Sequence, residues 1–114
     1  MNYKSIAQET LNIEAQTLLA AAKNMNDVFD KAVETILACK GKLVITGVGK
    51  SGLIGAKMAA TFASTGTPSF FLHPTEALHG DLGMISKNDV VIAISYSGES
   101  EELSSILPHI KRFG

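Results

Sequence analysis

The chain has 114 residues, which is the size of one ordinary domain and too short for a multidomain enzyme. Its residues are 46% apolar and 18% charged, so the composition predicts a folded soluble domain and excludes a disordered chain. The chain has ten Lys plus Arg and eleven Asp plus Glu. The resulting net charge of −1 provides no field that would attract nucleic acid or an anionic membrane surface.

Two helices are predicted before the first strand. Residues 3–24 contain neither Gly nor Pro and place apolar side chains at helical spacing, which predicts a long amphipathic helix. Asn26 or Asp27 is a suitable cap for a second helix, which ends before Gly41. The side chains expected on the buried face of this second helix are Val28, Phe29, Ala32, Val33, Ile36 and Leu37.

Three strands alternate with helical segments in the rest of the chain. Residues 43–46 form a β-branched run that ends in a glycine loop, and a helix is predicted over 53–64. The runs 69–73 and 89–94 are almost uniformly apolar, which is typical of strands buried on both faces of a parallel sheet. This order predicts an α/β fold, a three-layer α/β/α sandwich in which ligands bind beyond the carboxyl ends of the strands.

The remaining segments complete the predicted architecture. Residues 74–88 are predicted to form a loop with one helical turn, and a last helix is predicted from about Glu101, with Pro108 kinking it or ending it early. We expect residues 1–114 to form a single domain, with the N-terminal helices in 1–40 and the three strand–helix units in 41–114.

Cysteine content and hydropathy bear on the compartment. The single cysteine, Cys39, excludes an intrachain disulfide and fits a reducing compartment. The apolar run 90–94 is far too short to span a membrane, and the first ten residues lack the apolar core of a secretion signal. We therefore expect a cytoplasmic location and no membrane partner.

The glycine loop after the first strand satisfies the pattern G-x-G-x-x-G through Gly47, Gly49 and Gly52. Glycines let a backbone approach a ligand closely, and the following helix offers N–H groups and its positive end to an anion. Dinucleotide binding is one interpretation, although an acidic residue should then end the second strand, where His73 stands. An ATP-binding loop would need glycine at Val44, and a tight turn without any ligand is the third interpretation.

The loop after the third strand carries the hydroxyl groups of Ser95, Ser97 and Ser100 at the start of a predicted helix. Hydroxyl and N–H donors at such a place form a site for a phosphate monoester. A second interpretation is that Ser100 caps the helix, with Glu101 and Glu102 in its first turn. The two interpretations are compatible, because both use the N–H groups that a helix start leaves unpaired.

Five segments together carry a resemblance to a known family. They are the glycine loop 47–52, Ala59-Ala60-Thr61-Phe62-Ala63-Ser64-Thr65-Gly66-Thr67-Pro68, His73-Pro74-Thr75-Glu76-Ala77, His79-Gly80-Asp81-Leu82-Gly83 and Ser95-Tyr96-Ser97-Gly98-Glu99-Ser100. With them, residues 43–112 resemble the sugar isomerase (SIS) domain of D-arabinose 5-phosphate isomerases, and the likeness extends through the N-terminal helices.

The resemblance implies an aldose–ketose isomerase that interconverts D-ribulose 5-phosphate and D-arabinose 5-phosphate through an enediol, on the way to Kdo for lipopolysaccharide or capsule. It implies catalytic roles for Lys50, Glu102 and His79, with Glu102 as the acid/base group. The substrate- and phosphate-binding residues that it implies are Gly49, Ser51, Gly66, Thr67, His79, Ser95, Ser97 and Ser100.

The same resemblance bears on cofactors and partners. It implies a homo-oligomer, expected to be a tetramer, that binds a sugar-phosphate substrate. An enediol route requires no cofactor, but His73 matches a position where the family can bind zinc. The alternative for His73 is a strand-end histidine with an ordinary hydrogen bond.

The resemblance covers only the amino-terminal part of a SIS domain, up to the third strand–helix unit, and includes no CBS domains. We therefore expect this chain to bind sugar phosphate without full activity. The alternative function is that of a non-catalytic, sugar-phosphate-binding SIS module in a regulator.

Overall fold

The structure is a computed structural model that describes residues 2–78 and 81–96 and the isolated positions 104 and 108. The chain divides into two compact units, Met1–Glu34 and Thr35–Gly114. No helix in the described part of the chain combines the length and the hydropathy needed to cross a bilayer.

Both predicted N-terminal helices are confirmed, and so is the predicted cap of the second one. Helix α1 spans Tyr3–Lys23, and the Asn2 side chain accepts a hydrogen bond from the Ser5 N–H at 3.0 Å. Helix α2 spans Asp27–Leu37, and the Asn26 side chain accepts from the Val28 N–H at 2.9 Å. Asn26 is therefore the cap of α2.

The predicted buried face of α2 is wrong for the described residues, and α1 has no buried residue. Phe29 is 55% exposed and Leu37 80% exposed. Of the six side chains expected on that face, Ile36 alone is half-buried, packed beside the core residues Leu43 and Ile45.

The predicted parallel sheet is confirmed. Strands β1 (Leu43–Gly47), β2 (Ser69–Phe71) and β3 (Val90–Ile94) are all parallel, in the order β2-β1-β3. Every residue of β1 is buried, because this strand has a neighbour on each side. The two flanking strands are mostly half-buried, since each pairs with one strand in the described part of the chain.

Helical segments cover both faces of the sheet, which confirms the three-layer α/β/α sandwich. Helix α3 (Lys50–Ser64) packs on the face that carries Leu43 and Ile45. The short helix α4 (Pro74–Leu78) and a 3₁₀ segment (Asp81–Met84) belong to the other layer. There Ala77 and Ile85 pack with Val44 and Leu72.

Two element boundaries differ from prediction, and both differences bear on the site. Helix α3 begins at Lys50 rather than at residue 53, because Gly49 adopts φ 61° and ψ −130° and turns the chain directly from β1 into the helix. Strand β2 ends at Phe71 rather than at residue 73, because the His73 carbonyl already accepts from the Ala77 N–H at 2.9 Å and starts α4.

The predicted last helix lies almost entirely outside the described residues. Of it, the structure describes only positions 104 and 108, and both are helical.

A carboxylate fixes the sheet at its amino edge. Asp89 accepts hydrogen bonds from the Lys42 N–H at 2.7 Å and from the Ser86 N–H at 2.8 Å. The Gly41 N–H also donates to the Asn88 carbonyl at 2.9 Å. These bonds join the segments that lead into β1 and β3, and they set the register with which both strands reach the carboxyl edge.

Thr46 offers a test of packing inside β1. The residue is fully buried, and its hydroxyl group has no hydrogen-bond partner among the described residues. A buried hydroxyl without a partner carries a desolvation cost, so Thr46→Val is expected to raise the free energy of unfolding by about 1 kcal/mol. Urea unfolding measures the change.

Thr46→Ser is the matched control, because it keeps the hydroxyl and removes the methyl group. It is expected to lower the free energy of unfolding by about 1 kcal/mol. A loss of stability in Thr46→Val would contradict the prediction and show that the hydroxyl has a partner.

Candidate functional site

The topology creates a crevice at the carboxyl ends of β1 and β3. From β1 the chain passes through α3 to β2 on one side, and from β2 it passes through α4 to β3 on the other side. In open parallel sheets, ligands bind where successive connections leave a strand in opposite directions. The glycine loop and Ser95, the residue that follows β3, flank this point.

The start of α3 is built to receive an anion. The Gly52 and Leu53 N–H groups already donate to the Val48 and Gly49 carbonyls, at 3.3 and 3.1 Å, so the backbone donors that point out of this helix end are those of Lys50 and Ser51. The aligned peptide dipoles place partial positive charge there. Lys50 is the first residue of the helix and is exposed, and no acidic side chain occupies the first turn. Backbone donors and an ammonium group therefore act at the same end of one 15-residue helix.

Glycines hold this helix end against β1. A Cβ atom on Gly52 would lie 2.7 Å from the Gly47 carbonyl oxygen, closer than atoms of this kind can approach. One turn later, a Cβ atom on Gly55 would lie 3.1 Å from side-chain atoms of both Ile45 and Phe71. The absent side chains let α3 pack directly on the strand, which fixes the position of the loop between them.

Two cavities lie at this edge, and Lys50 lines both. The first, of about 530 Å³, lies beside β3, and the second, of about 500 Å³, lies toward the end of β2. The first is lined by Val48, Lys50, Ser51, Ile54 and Tyr96. The second is lined by Gly49, Lys50, Gly52, Leu53, Ala56, Phe71 and His73.

The second cavity contains an aromatic pair and a defined hydrogen bond. His73 meets Phe71 edge to face, with ring centroids 6.4 Å apart and an interplanar angle of 72°. The Thr75 N–H donates to His73 Nδ1 at 3.1 Å. His73 is an exposed residue that lines this cavity.

The structure brings together part of the predicted site. Gly49, Lys50 and His73 line one cavity, and Ser51 joins Lys50 in the other. Ser95 follows β3 at the same edge and is exposed. The predicted roles that lie outside the described residues are those of His79, Ser97, Ser100 and Glu102.

Gly66 and Thr67 lie away from Lys50, at the other end of α3. They precede β2 at the amino edge of the sheet, where Gly66, with φ 104°, lines a separate cavity of about 420 Å³ with Lys42 and Ser69. A helix of 15 residues is about 22 Å long, so α3 separates them from Lys50. Within one chain, these two positions therefore lie too far from Lys50 to border the cavities that Lys50 lines.

Sequence reasoning missed Tyr96 as a lining residue. Its side chain is fully exposed and borders the cavity that contains Lys50 and Ser51. The available signal was its place between Ser95 and Ser97, in the loop that follows the third apolar run.

Comparisons with known proteins agree with this geometry. Residues 36–114 match the SIS domain family. The chain is 58% identical over all 114 residues to a Haemophilus influenzae protein named "Probable arabinose 5-phosphate isomerase", and 55% identical over 111 residues to "Arabinose 5-phosphate isomerase KdsD" of Escherichia coli K12. The first match covers 100% of this chain and the second covers 97% of it. The chain spans only about a third (34%) of the length of each of these two proteins.

The chain is also similar to a solved structure. The structure of c3406 from Escherichia coli CFT073 in complex with arabinose 5-phosphate matches with a TM-score of 0.85 and 47% identity. The match covers 100% of this chain and 62% of that one.

Proposed function

Because the chain belongs to the SIS domain family, we propose that it provides sugar-phosphate-binding and catalytic groups of an isomerase that interconverts D-ribulose 5-phosphate and D-arabinose 5-phosphate. The observation that carries this proposal is the position of Lys50, which stands on the first turn of α3 and lines both cavities at the carboxyl edge. A similar structure with arabinose 5-phosphate bound and relatives named for this activity support the choice of substrate.

The reaction moves one proton between neighbouring carbons. A base takes the proton from C2 of arabinose 5-phosphate, and the electron pair forms a C1–C2 double bond while O1 takes up charge and then a proton. The resulting enediol accepts a proton at C1, O2 loses its proton, and ribulose 5-phosphate results. Such a route needs a base near C1 and C2 and a group that stabilises charge on the oxygens.

Lys50 is the group that stabilises this charge. Its ammonium group is a compact cation at the positive end of α3, and it reaches the space on both sides of the helix start. Charge that develops on O1 or O2 is stabilised there more in the transition state than in the neutral sugar, which is the condition for a gain in rate.

The remaining roles rest on the resemblance. Glu102 serves as the base, His79 contacts the substrate, and Ser95, Ser97 and Ser100 bind the phosphate group. Binding the unreacting phosphate positions C1 and C2 for proton transfer.

Two substitutions separate the phosphate anchor from the base. Ser97→Ala is expected to weaken binding of arabinose 5-phosphate by about tenfold, because one hydrogen bond to a charged group is lost. Glu102→Gln is expected to lower kcat by at least about a hundredfold with little change in affinity, because the amide cannot accept the proton. Isothermal titration and steady-state kinetics measure the two effects, and equal losses of affinity in both variants would contradict the assignment.

We also propose that subunits share sites in a homo-oligomer, a tetramer by resemblance. Gly66 and Thr67 lie at the edge of the sheet opposite Lys50, so they contact the same ligand only if another subunit supplies them. Exposed apolar side chains on α1 and α2, such as Leu18, Leu19 and Phe29, provide surface for association. Light scattering coupled to size-exclusion chromatography tests this, and a monomeric protein with full activity would contradict it.

The cellular role follows the same resemblance. Arabinose 5-phosphate is expected to feed the synthesis of Kdo for lipopolysaccharide or capsule, in the cytoplasm. No cofactor is needed for the proton transfer.

The central experiment follows deuterium exchange and interconversion of the two sugar phosphates by NMR. The gene product that contains these 114 residues is expected to interconvert them and to introduce solvent deuterium at the exchanging carbon, whereas the 114-residue chain alone is expected to bind without full turnover. Binding without turnover by the whole gene product would instead identify a sugar-phosphate-binding module of a regulator. Failure to bind either sugar would refute the proposal.

A further inference from the structure

We propose that Tyr96 holds the carbon chain of a bound sugar phosphate, by packing its ring against that chain beside the start of α3. The identity of the ligand rests on the proposed function, whereas the position of Tyr96 rests on the strand register and on the cavity beside β3. The side chains that have a role in the proposed reaction are all polar, so none of them is suited to the carbon atoms of the sugar.

The register of the sheet brings Tyr96 beside the start of α3. Gly47 and Ile94, the last residues of β1 and β3, are partners in the parallel ladder. Tyr96 lies two residues beyond Ile94, so it stands level with the loop that leads from β1 into α3.

Alternation along β3 accounts for the face of the sheet to which Tyr96 belongs. Val90, Ile92 and Ile94 pack with Ile45 on the face that α3 covers. Side chains two residues apart point to the same face of a strand, so position 96 continues this row just past the strand end. Tyr96 accordingly borders a cavity together with Ile54, which belongs to α3.

The cavity has walls of two kinds. Lys50 and Ser51, at the start of α3, provide an ammonium group and a hydroxyl group, whereas Val48 and Ile54 are apolar. Among the described lining residues, Tyr96 is the one that comes from the β3 side, and its side chain is fully exposed. A ligand in this space of about 530 Å³ therefore meets donors from α3 and an aromatic ring from the loop after β3.

An open-chain sugar phosphate matches these walls. Its oxygen atoms suit the donors, and most of its carbon atoms carry hydrogen atoms that a neighbouring oxygen polarises. The face of an aromatic ring carries partial negative charge and attracts such hydrogen atoms. Inorganic phosphate has no carbon chain, so it gains nothing from the ring.

The contact should act on binding and not on the rate of proton transfer. A ring packed on the carbon chain carries no charge and moves no proton, so it stabilises the bound sugar and the transition state to the same degree. Removal of such a contact raises KM and leaves kcat unchanged.

Steady-state kinetics of the whole gene product test this role. Tyr96→Ala is expected to raise KM for arabinose 5-phosphate about fivefold to tenfold, with kcat unchanged within about twofold. Tyr96→Phe keeps the ring and loses only the hydroxyl group, so KM is expected to stay within about twofold. Equal increases of KM in the two variants would show that the hydroxyl group acts instead of the ring, and would overturn the proposal.

Inorganic phosphate is the control ligand, and Tyr3 is the control position. The inhibition constant of phosphate is expected to agree within about twofold among all variants, because phosphate lacks the carbon chain. Tyr3 is also an exposed tyrosine but belongs to α1, so Tyr3→Ala is expected to leave KM unchanged within about twofold. If Tyr96→Ala weakens phosphate binding as much as it raises KM, the substitution disturbs the loop as a whole and the proposal is wrong.

Stability and molar mass separate a ligand contact from a structural one. The Tyr96 side chain is fully exposed, so Tyr96→Ala is expected to unfold at the same urea concentration as the unsubstituted protein. Light scattering is expected to give both proteins the same molar mass. A lower molar mass for Tyr96→Ala would place the ring at a contact between subunits and would contradict the role proposed for it.

Failure of this proposal and failure of the proposed function give different results. If the unsubstituted protein does not convert arabinose 5-phosphate, the two fail together. If it converts the sugar and Tyr96→Ala has the same KM, the role of Tyr96 alone is refuted.

Discussion

Gly52→Ala is expected to lower the free energy of unfolding by about 2 kcal/mol, although alanine ordinarily stabilises the interior of a helix. The new Cβ atom would lie 2.7 Å from the Gly47 carbonyl oxygen, which belongs to the buried strand β1. Overpacking against backbone costs about 3 kcal/mol, which exceeds the gain of about 1 kcal/mol in helix propensity. Urea unfolding followed by circular dichroism measures the difference.

Gly83→Ala and Gly55→Ala are the matched controls for this prediction. Nothing lies within 4 Å of a Cβ atom on Gly83, so its substitution is expected to change stability by less than about 0.5 kcal/mol. A Cβ atom on Gly55 would meet side chains of Ile45 and Phe71 at 3.1 Å, and side chains yield more easily than backbone. An effect at Gly52 no larger than the effect at Gly83 would contradict the packing described for α3.

Lys50→Met is expected to lower kcat/KM for the isomerisation by about a hundredfold to a thousandfold, the usual loss when one group that stabilises a developing oxyanion is removed. The side chain is exposed on the first turn of α3, so its removal should leave the free energy of unfolding unchanged within about 0.5 kcal/mol. Steady-state kinetics and urea unfolding on the same protein separate the two quantities.

Lys57→Met is the control for charge. Lys57 is also exposed on α3, but it borders a different groove, with Met58 and Phe62. Its substitution is expected to leave kcat/KM unchanged within about twofold. Equal effects at positions 50 and 57 would show that only the overall positive charge of the helix matters, and would contradict a specific role for Lys50.

The sequence was sufficient to predict the sheet and the edge at which the candidate site lies. Uniformly apolar runs such as 90–94 indicate strands buried in a parallel sheet, and alternating helices require the connections that place all three carboxyl ends at one edge. The glycine pattern predicts close approach of the backbone to a ligand or a tight turn, whereas the close packing of Gly52 against Gly47 of β1 is a feature that only the structure shows.

Other features depended on distances that residue types do not contain. Gly66 and Thr67 looked like part of the same site, but the length of α3 places them at the opposite edge. The apolar spacing in α2 predicted burial without indicating whether a covering surface is present, and Phe29 is exposed. The hydrogen bond from the Thr75 N–H to His73 Nδ1 is a contact that no sequence pattern specifies.

The carboxylate of Asp89 has a consequence for how proteins with this sheet can change over evolution. It joins the segments before β1 and β3 at the amino edge, whereas Lys50, His73 and Ser95 lie at the carboxyl edge. Strand alignment is thus maintained by a carboxylate at the edge of the sheet opposite Lys50. Substitutions in the loops at the carboxyl edge can change the chemistry of those loops while the alignment of the strands persists, so one scaffold can acquire new specificities without first losing its fold.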